Sequence, residues 1–244
     1  MKTAVITGGS SGIGLAIAKR YAGLNYQVYS LDLNAPPVDS NINFIQCNMA
    51  NETEINQAFE TIHAVNKQVD VLVNNCGLQF MSPVDEFPTE KWKLLIDVML
   101  TSPFLCTKAV LPRMKENKSG RIINISSVHG KLASPFKSAY VAAKHGVLGF
   151  AKVVAKEVGE YGITVNSICP GFVDTPLMRN QIQKQMELNN LSEEEVLRQI
   201  FLKDQDIKKL TTPDQVADLC EFLSGNAAST ITGEAYSISG GWGA

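Results

Sequence analysis

The sequence predicts a single α/β domain, built on a doubly wound parallel sheet of about seven strands. Short β-branched runs alternate with segments of helical period along the chain, which is typical of parallel strands joined by crossover helices. Turns rich in Gly and Asn follow several strands, at the sheet edge where such folds bind ligands. The 244 residues are 45% hydrophobic, enough for one large core, and no linker divides them.

The composition excludes several function classes. A net charge of −2 offers neither a basic field for nucleic acid nor a polybasic membrane segment. A strand begins directly after Met1 and Lys2, so we expect no signal peptide, and no apolar run reaches about 18 residues. The five cysteines contain no CxxC, which predicts reduced core thiols, no metal site and a cytoplasmic protein. They are Cys47, Cys76, Cys106, Cys169 and Cys220.

The first strand, Ala4 to Ile6, leads through a glycine-rich turn into a helix at 15–24. Gly8, Gly12 and Gly14 allow a tight turn, close approach to a pyrophosphate, and helix packing on the strand. The helix start presents free N–H groups to phosphate. The turn therefore predicts a dinucleotide site.

The second strand, at 27–31, ends in Asp32, close to the 20-residue offset expected of an acid that holds a ribose diol. Its carboxylate would repel a 2′-phosphate. Ser10, Ser11 and Leu33 supply no cation to accept one. We therefore expect NAD rather than NADP.

The next segments continue the alternation. The crossover at 34–43 contains two prolines and has no helical period, so it is unusually short. A third strand at 43–47 is followed by Asn48, which reads the adenine amine, caps a helix at 52–65, or does both. A fourth strand at 70–74 closes with Asn74-Asn-Cys-Gly77.

The second half of the chain carries a long helix at 91–115, interrupted by Pro103. Because proline lacks an N–H, the carbonyl of Met99 should be left free. Strands at 121–125, 164–169 and 235–238 and a helix at 213–224 complete the pattern. The Gln-rich stretch at 174–210, with the lid proper at about 175–210, is helical in character and predicts a mobile cover over the site.

Three residues point to proton transfer. Tyr140 and Lys144 lie four residues apart on a helix beginning at Ser138, so their side chains share one face. At about 5 Å and an effective dielectric of about 20, the lysine stabilises a phenolate by roughly 3 kcal/mol, or about two pKa units. Tyr140 would then titrate near working pH, with Ser127 donating to the same substrate oxygen.

Thr7-Gly8…Gly12-x-Gly14, Asn74-Asn-x-Gly77, Ser127, Tyr140-x-x-x-Lys144 and Pro170-Gly171…Thr175 together resemble the classical short-chain dehydrogenases/reductases. The resemblance covers essentially the whole chain. It implies a single Rossmann domain with a helical substrate lid, commonly assembled as a homotetramer.

The same resemblance implies hydride transfer with a nicotinamide cofactor. Tyr140 is then the acid/base, Lys144 holds the ribose and lowers the tyrosine pKa, Ser127 polarises the carbonyl, and Thr175 touches the carboxamide. The cofactor contacts implied are Gly8, Ser11, Gly12, Ile13, Gly14, Asp32, Asn48, Met49, Asn75, Gly77, Tyr140, Lys144, Pro170, Val173 and Thr175.

Within that family the chain is similar to the bacterial D-3-hydroxybutyrate dehydrogenases, through segments such as 86–92, 137–146 and 231–242. A carboxylate taken out of water needs a cation and several donors, and a lysine at about 4 Å supplies about 4 kcal/mol at a surface-like dielectric. Each candidate for such a contact also has an ordinary structural alternative. Lys137 could be a solvated loop charge, Gln79 and Gln181 surface amides, and His129 a loop histidine. The substrate contacts that the resemblance implies are Gln79, Ser127, His129, Lys137, Tyr140 and Gln181.

Two positions depart from that family. Met99 stands where the family has the Asn of a proton relay, and Phe172 where close relatives have Trp. We expect an NAD-dependent enzyme that interconverts (R)-3-hydroxybutyrate and acetoacetate, with catalysis weakened or intact. The alternatives are a reductase of a neutral ketone or cyclic diol, and a catalytically weak NAD-binding protein.

Overall fold

A computed structural model describes residues 1–37 and 41–243 and contains one seven-stranded sheet, in the order β3-β2-β1-β4-β5-β6-β7. Every neighbouring pair is parallel, which confirms the predicted sheet. The strands are β1 (Thr3–Thr7), β2 (Gln27–Asp32), β3 (Asn43–Gln46), β4 (Val71–Asn74), β5 (Gly120–Ile125), β6 (Ile163–Pro170) and β7 (Ala235–Ile238).

Helices cover both faces of this sheet. One face packs against α2, α4 and α5, and the other against α1 and α8. Since β6 is covered on both sides, all eight of its residues are buried, and it has no alternating polar face. The helices are α1 (Gly12–Gly23), α2 (Glu52–Val65), α3 (Thr89–Ile96), α4 (Ser102–Glu116), α5 (Ser138–Val158), α6 (Pro176–Asn189), α7 (Glu193–Val196) and α8 (Pro213–Ser224).

The strand order reverses between β1 and β4. The chain runs outward from β1 through β2 to β3 and then returns to the other side of β1 as β4. At such a switch point the loops after the two strands diverge and leave a crevice for a ligand. The described residues of the β2–β3 crossover form no helix, as predicted; 38–40 lie outside the described residues.

The long central helix is less interrupted than the sequence predicts. A single π-helical turn, Asp97–Thr101, joins α3 to α4, and Pro103 is the second residue of α4. The Ser102 hydroxyl donates to the carbonyl of Val98 (2.8 Å). Such π turns are frequent at functional sites, and this one contains Met99.

By length and hydropathy alone, the continuous helix at 89–116 could cross a membrane, with a mean hydropathy of 1.6 in its most apolar 18-residue window. The helix is nevertheless not an uninterrupted apolar run, because every 18-residue window of it contains the polar Thr101 and Ser102. Half of that window is buried inside the protein. Its apolar residues pack on the sheet and on α2, as in the core helix of an α/β domain.

The segment between β6 and α8 is helical, as predicted, and its role as a mobile cover over the site stays a prediction. It holds α6, α7 and a second π turn, Leu197–Phe201. Met178, Ile182 and Val196 form a small apolar cluster of its own. The two ends meet, because Val173 and Thr211 form an isolated parallel bridge.

Candidate active site

The glycine-rich turn between β1 and α1 leaves no room for side chains. Gly8 and Gly12 have φ of +67° and +51°, a left-handed conformation that favours glycine. A Cβ atom on Gly14 would lie 2.0 Å from the Gly8 carbonyl oxygen. Ser11, just before α1, has an extended backbone, and its side chain makes no capping hydrogen bond to the helix. The result is a bare backbone cradle at a helix start, which fits a pyrophosphate.

Asn75, after β4, holds this cradle in place. Its side-chain amide donates to the carbonyls of Thr7 (3.0 Å) and Gly8 (3.2 Å). The Thr7 hydroxyl in turn accepts from the backbone N–H groups of Asn75 (2.9 Å) and Cys76 (3.1 Å). These bonds join the carboxyl ends of β1 and β4 at the switch point.

Asp32 lies at the end of β2, beside the start of the glycine-rich turn. One carboxylate oxygen accepts from the backbone N–H of Ser10 (3.1 Å) and the other from that of Asn34 (3.3 Å). The side chain is partly exposed. It is therefore oriented by the backbone while keeping lone pairs for a ligand hydroxyl.

The two interpretations of Asn48 are now separated, and the helix-cap interpretation is wrong. Asn51 caps α2, accepting from Thr53 and Glu54. Asn48 accepts from the backbone of Ala50 (3.0 Å) and closes the turn before the helix. The Met49 side chain is buried in the core, so only its backbone can face a ligand.

Lys144 is buried and lies close to Tyr140. Its Nζ donates to the carbonyl of Ile125 at the end of β5 (2.7 Å) and lies 5.8 Å from the centre of the tyrosine ring. Burial lowers the pKa of Lys144 to about 8. The ammonium therefore stays mostly protonated at neutral pH, and Ile125 fixes its position.

The expectation of a lowered tyrosine pKa is wrong for the chain by itself. Tyr140 is half-buried, and the desolvation of its hydroxyl raises its pKa above the ordinary value. The Ser127 hydroxyl lowers it, but by less. Desolvation of the phenolate outweighs the attraction that helical spacing predicts, so Tyr140 rests as a phenol.

His129 and Lys137 lie on the other side of this group. His129 is buried, and burial together with the nearby Lys137 charge lowers its pKa to about 4. Lys137 is half-buried, and burial lowers its pKa also. Within residues 1–37 and 41–243 the Lys137 ammonium has no hydrogen bond or ion pair. The site therefore holds one unpaired cation beside a neutral imidazole.

The two predicted amides form no hydrogen bond with this group in the described part of the chain. Gln79 is exposed on the loop after β4, and Gln181 is half-buried on α6. Neither side chain has a hydrogen-bond partner within the described part of the chain. Their role in binding stays a prediction.

The base of the helical cover faces the glycine-rich turn. Thr175 caps α6, and its methyl carbon lies 3.4 Å from where a Cβ of Gly12 would stand. Val173 is buried in the second core, at the foot of the cover. Of the predicted contacts from Pro170 to Thr175, Thr175 therefore lies beside the glycine-rich turn, and Ile13 is partly buried against the second core.

Sequence reasoning missed two residues of this site, Ser134 and Trp242. The Ser134 hydroxyl lies 2.6 Å from Nε2 of His129. The Trp242 ring packs edge-on against His129 and stacks on Phe172, with ring centres 5.2 Å apart in both pairs. For Trp242 the sequence did offer a signal, a tryptophan close to the C-terminus.

Met99 does enter the site. A Cβ on Gly77 would lie 3.9 Å from both the Met99 sulfur and the Lys144 nitrogen. An apolar thioether thus lies where the resembling family has an amide. The lysine loses a polar neighbour on that side.

All five cysteines are unpaired, and four are buried as predicted. Cys76 differs, because it is only half-buried and follows β4 at the edge of the crevice. Burial raises the pKa of its thiol to about 12. Among the described residues no cluster of three or more His, Cys, Asp or Glu could hold a metal.

Comparison with known proteins agrees with this geometry. Residues 2–186 match the family model described as short chain dehydrogenase. The D-beta-hydroxybutyrate dehydrogenases of Rhizobium meliloti and Cupriavidus necator are 44% and 39% identical, each over 99% of this chain and 98% and 97% of their own. The solved aldohexose dehydrogenase of Thermoplasma acidophilum superposes with a TM-score of 0.92 at 29% identity, over 99% of this chain and 93% of its own.

Proposed function

The chain belongs to the short-chain dehydrogenase family, and from this premise we propose that it is an NAD-dependent dehydrogenase of short 3-hydroxy acids. The substrate pair would be (R)-3-hydroxybutyrate and acetoacetate. Two relatives with this named activity, similar over their full length, support the proposal.

The observation that carries the substrate class is the unpaired ammonium of Lys137. A half-buried cation without a counter-ion costs free energy, and its lowered pKa reflects that cost. A carboxylate brought next to it regains the lost interaction. The neutral imidazole of His129 beside it adds no second charge. A singly charged acid therefore suits this side of the pocket.

The cofactor assignment rests on the turn after β1 and on Asp32. The backbone cradle formed by Gly8, Gly12 and Gly14 fits a pyrophosphate, since a Cβ on Gly14 would fill it. Asp32, held by Ser10 and Asn34, would accept from a ribose diol and repel a 2′-phosphate. The cofactor proposed is therefore NAD.

A nicotinamide cofactor held by the glycine-rich turn and Asp32 would, when bound, supply the hydride chemistry of the proposed mechanism. Tyr140, protonated at rest, gives its proton to the oxygen of a keto acid and takes it back in the oxidation direction. Ser127 donates a hydrogen bond to that oxygen. Lys144, anchored on Ile125, holds a positive charge near the phenol and stabilises its deprotonated form.

The experiment that tests the function measures NADH formation with a panel of substrates. The panel contains (R)- and (S)-3-hydroxybutyrate, a neutral secondary alcohol and an aldohexose, each with NAD and with NADP. We expect kcat/KM for (R)-3-hydroxybutyrate with NAD to exceed the others by at least about tenfold, the value of one charge-assisted contact. A neutral alcohol that reacts as fast would contradict the proposal.

A second candidate is a reductase of neutral ketones or cyclic diols. It is favoured by the similarity to an aldohexose dehydrogenase, whose named substrate is uncharged. The stacked rings of Phe172 and Trp242 also give the pocket an apolar wall.

A third candidate, a weakly catalytic NAD-binding protein, is motivated by Met99. Single-turnover NADH formation with saturating substrate separates it from the enzymes.

We further propose a cytoplasmic homotetramer. Unpaired thiols at all five cysteines suit a reducing compartment. Phe104 on α4 and Val153 on α5 are exposed apolar residues on the outer helices, where pairing between copies would cover them. Light scattering on the purified protein tests the assembly, and a monomer at micromolar concentration would contradict it.

A further inference from the structure

His129 lies between two serine hydroxyls. Its Nε2 is 2.6 Å from Oγ of Ser134, and its Nδ1 is 3.5 Å from Oγ of Ser127. The backbone N–H of His129 also donates to the Ser127 oxygen (3.1 Å). Ser127 thus already accepts one hydrogen bond.

The imidazole ring is held in this orientation. Trp242 packs edge-on against it at 5.2 Å between ring centres, and Tyr140 does so at 6.0 Å. Turning the ring over would place a carbon at the 2.6 Å contact with Ser134, too short for anything but a hydrogen bond. Each nitrogen therefore keeps its own serine.

A neutral imidazole has one donor nitrogen and one acceptor nitrogen, which leaves two tautomers. If Nε2 carries the proton, Nδ1 is an acceptor and draws the only Ser127 proton toward itself. If Nδ1 carries the proton, it points at the Ser127 oxygen as a second donor. Ser127 then has accepted twice, and its O–H is left to donate elsewhere. Only the second tautomer suits a serine that polarises a carbonyl.

We propose that Ser134 is a positioning residue: its O–H donates to Nε2 of His129, which selects the Nδ1–H tautomer and directs the Ser127 proton to the reacting oxygen. The inference rests on the proposed function in taking that oxygen as the substrate's. The three side chains form a directed chain of hydrogen bonds, Ser134 to His129 to Ser127 to substrate. In this role His129 acts through Ser127, and its ring keeps no N–H for a direct hydrogen bond to a carboxylate.

The test is nitrogen NMR of the full chain labelled at histidine. The chain has three histidines, and His129→Gln identifies the signal of interest. At neutral pH we expect a protonated Nδ1 and an unprotonated Nε2 at His129. Ser134→Ala should return the ring to the Nε2–H tautomer, and Ser134→Thr, which keeps the hydroxyl, should retain the Nδ1–H form.

Kinetics give the matching readout. Ser134→Ala should lower kcat about tenfold, the value of one lost hydrogen bond, and leave KM for NAD unchanged, while Ser134→Thr restores kcat. An Nε2–H signal in the unaltered protein overturns the proposal. A Ser134→Ala variant in which the His129 tautomer and kcat are both unchanged also overturns it. Because NMR needs no substrate, the proposal is decided even if 3-hydroxybutyrate proves inactive, the result that would defeat only the proposed function.

Discussion

The Lys137 ammonium lies close enough to His129 to depress the pKa of its imidazole, yet no carboxylate of the described chain pairs with it. The positive charge of Lys137 is therefore available to pair with a bound anion. The substrate class proposed above rests on this relationship.

Lys137→Met should raise KM for (R)-3-hydroxybutyrate about 10- to 100-fold, because a charge-assisted hydrogen bond contributes roughly 1.5–3 kcal/mol. KM for NAD should change little. Steady-state kinetics with each substrate varied separately measures both. The matched control is Lys152→Met, an exposed lysine on the outer side of α5. Equal effects on the two KM values would rule out a carboxylate contact.

Tyr140→Phe should abolish turnover while leaving NAD binding intact. The change removes one oxygen and keeps the ring that packs against His129, so the fold should be preserved. We expect a loss of 10²- to 10⁴-fold in kcat, typical of a general acid. Quenching of tryptophan fluorescence by NADH reports binding. A variant that retains most of its activity would assign proton transfer to another group.

Asp32→Ala should erode the preference for NAD over NADP. The carboxylate oxygens are anchored by Ser10 and Asn34 and would face a 2′-phosphate at short range. Removing one negative charge should improve kcat/KM with NADP by at least about tenfold and weaken NAD use. An Asp32→Glu control keeps the charge. An unchanged ratio of the two efficiencies would place cofactor choice elsewhere.

Met99→Asn tests the position where the family's amide is missing. The Met99 sulfur lies near the position of Gly77 together with the Lys144 nitrogen, so an amide there can reach the same space. We expect kcat to rise by no more than about tenfold, since the chain as it stands is proposed to be active. Met99→Leu, similar in volume, is the control. An inactive parent that Met99→Asn brings to full turnover would show that the thioether blocks catalysis.

Lys144 should make stability depend on pH in alkaline solution. Its folded-state pKa of about 8 is below the ordinary 10.5, so between these values the unfolded chain binds more protons. The free energy of unfolding therefore gains about 3 kcal/mol as pH rises from 8 to 10.5, and below pH 8 the burial cost is fully present. Urea unfolding of the parent and of Lys144→Met between pH 8 and 10.5 isolates the contribution of Lys144 to the free energy of unfolding. Parallel curves for the two proteins would disprove it.

Much of the fold could be predicted from the sequence, because its signals are local. The bounds of α2, α8 and β7 match the predicted ranges, since caps and apolar periods mark them. The helix around Pro103 could not be predicted, because proline fits the first turn of α4 once a π turn absorbs the extra residue.

The site was predictable where backbone conformation requires a residue type. Gly8 and Gly14 are such positions, because no other residue fits. The protonation of Tyr140 was not, since the helical spacing gives the attraction of Lys144 but not the desolvation of a half-buried phenol. Ser134 was missed for a similar reason, because its contact with His129 depends on how the loop after β5 folds back.

The cover over the crevice begins and ends at neighbouring backbone positions. Thr211 accepts from the N–H of Asp174 (2.8 Å) and donates to the carbonyl of Phe172 (2.9 Å). The stretch between these residues is consequently held at its two neighbouring ends and at Gly240, whose carbonyl accepts from the N–H groups of Asp206 and Ile207. Substitutions within this stretch can therefore change which substrates enter, while Ser127, Tyr140 and Lys144, which lie outside it, keep their positions.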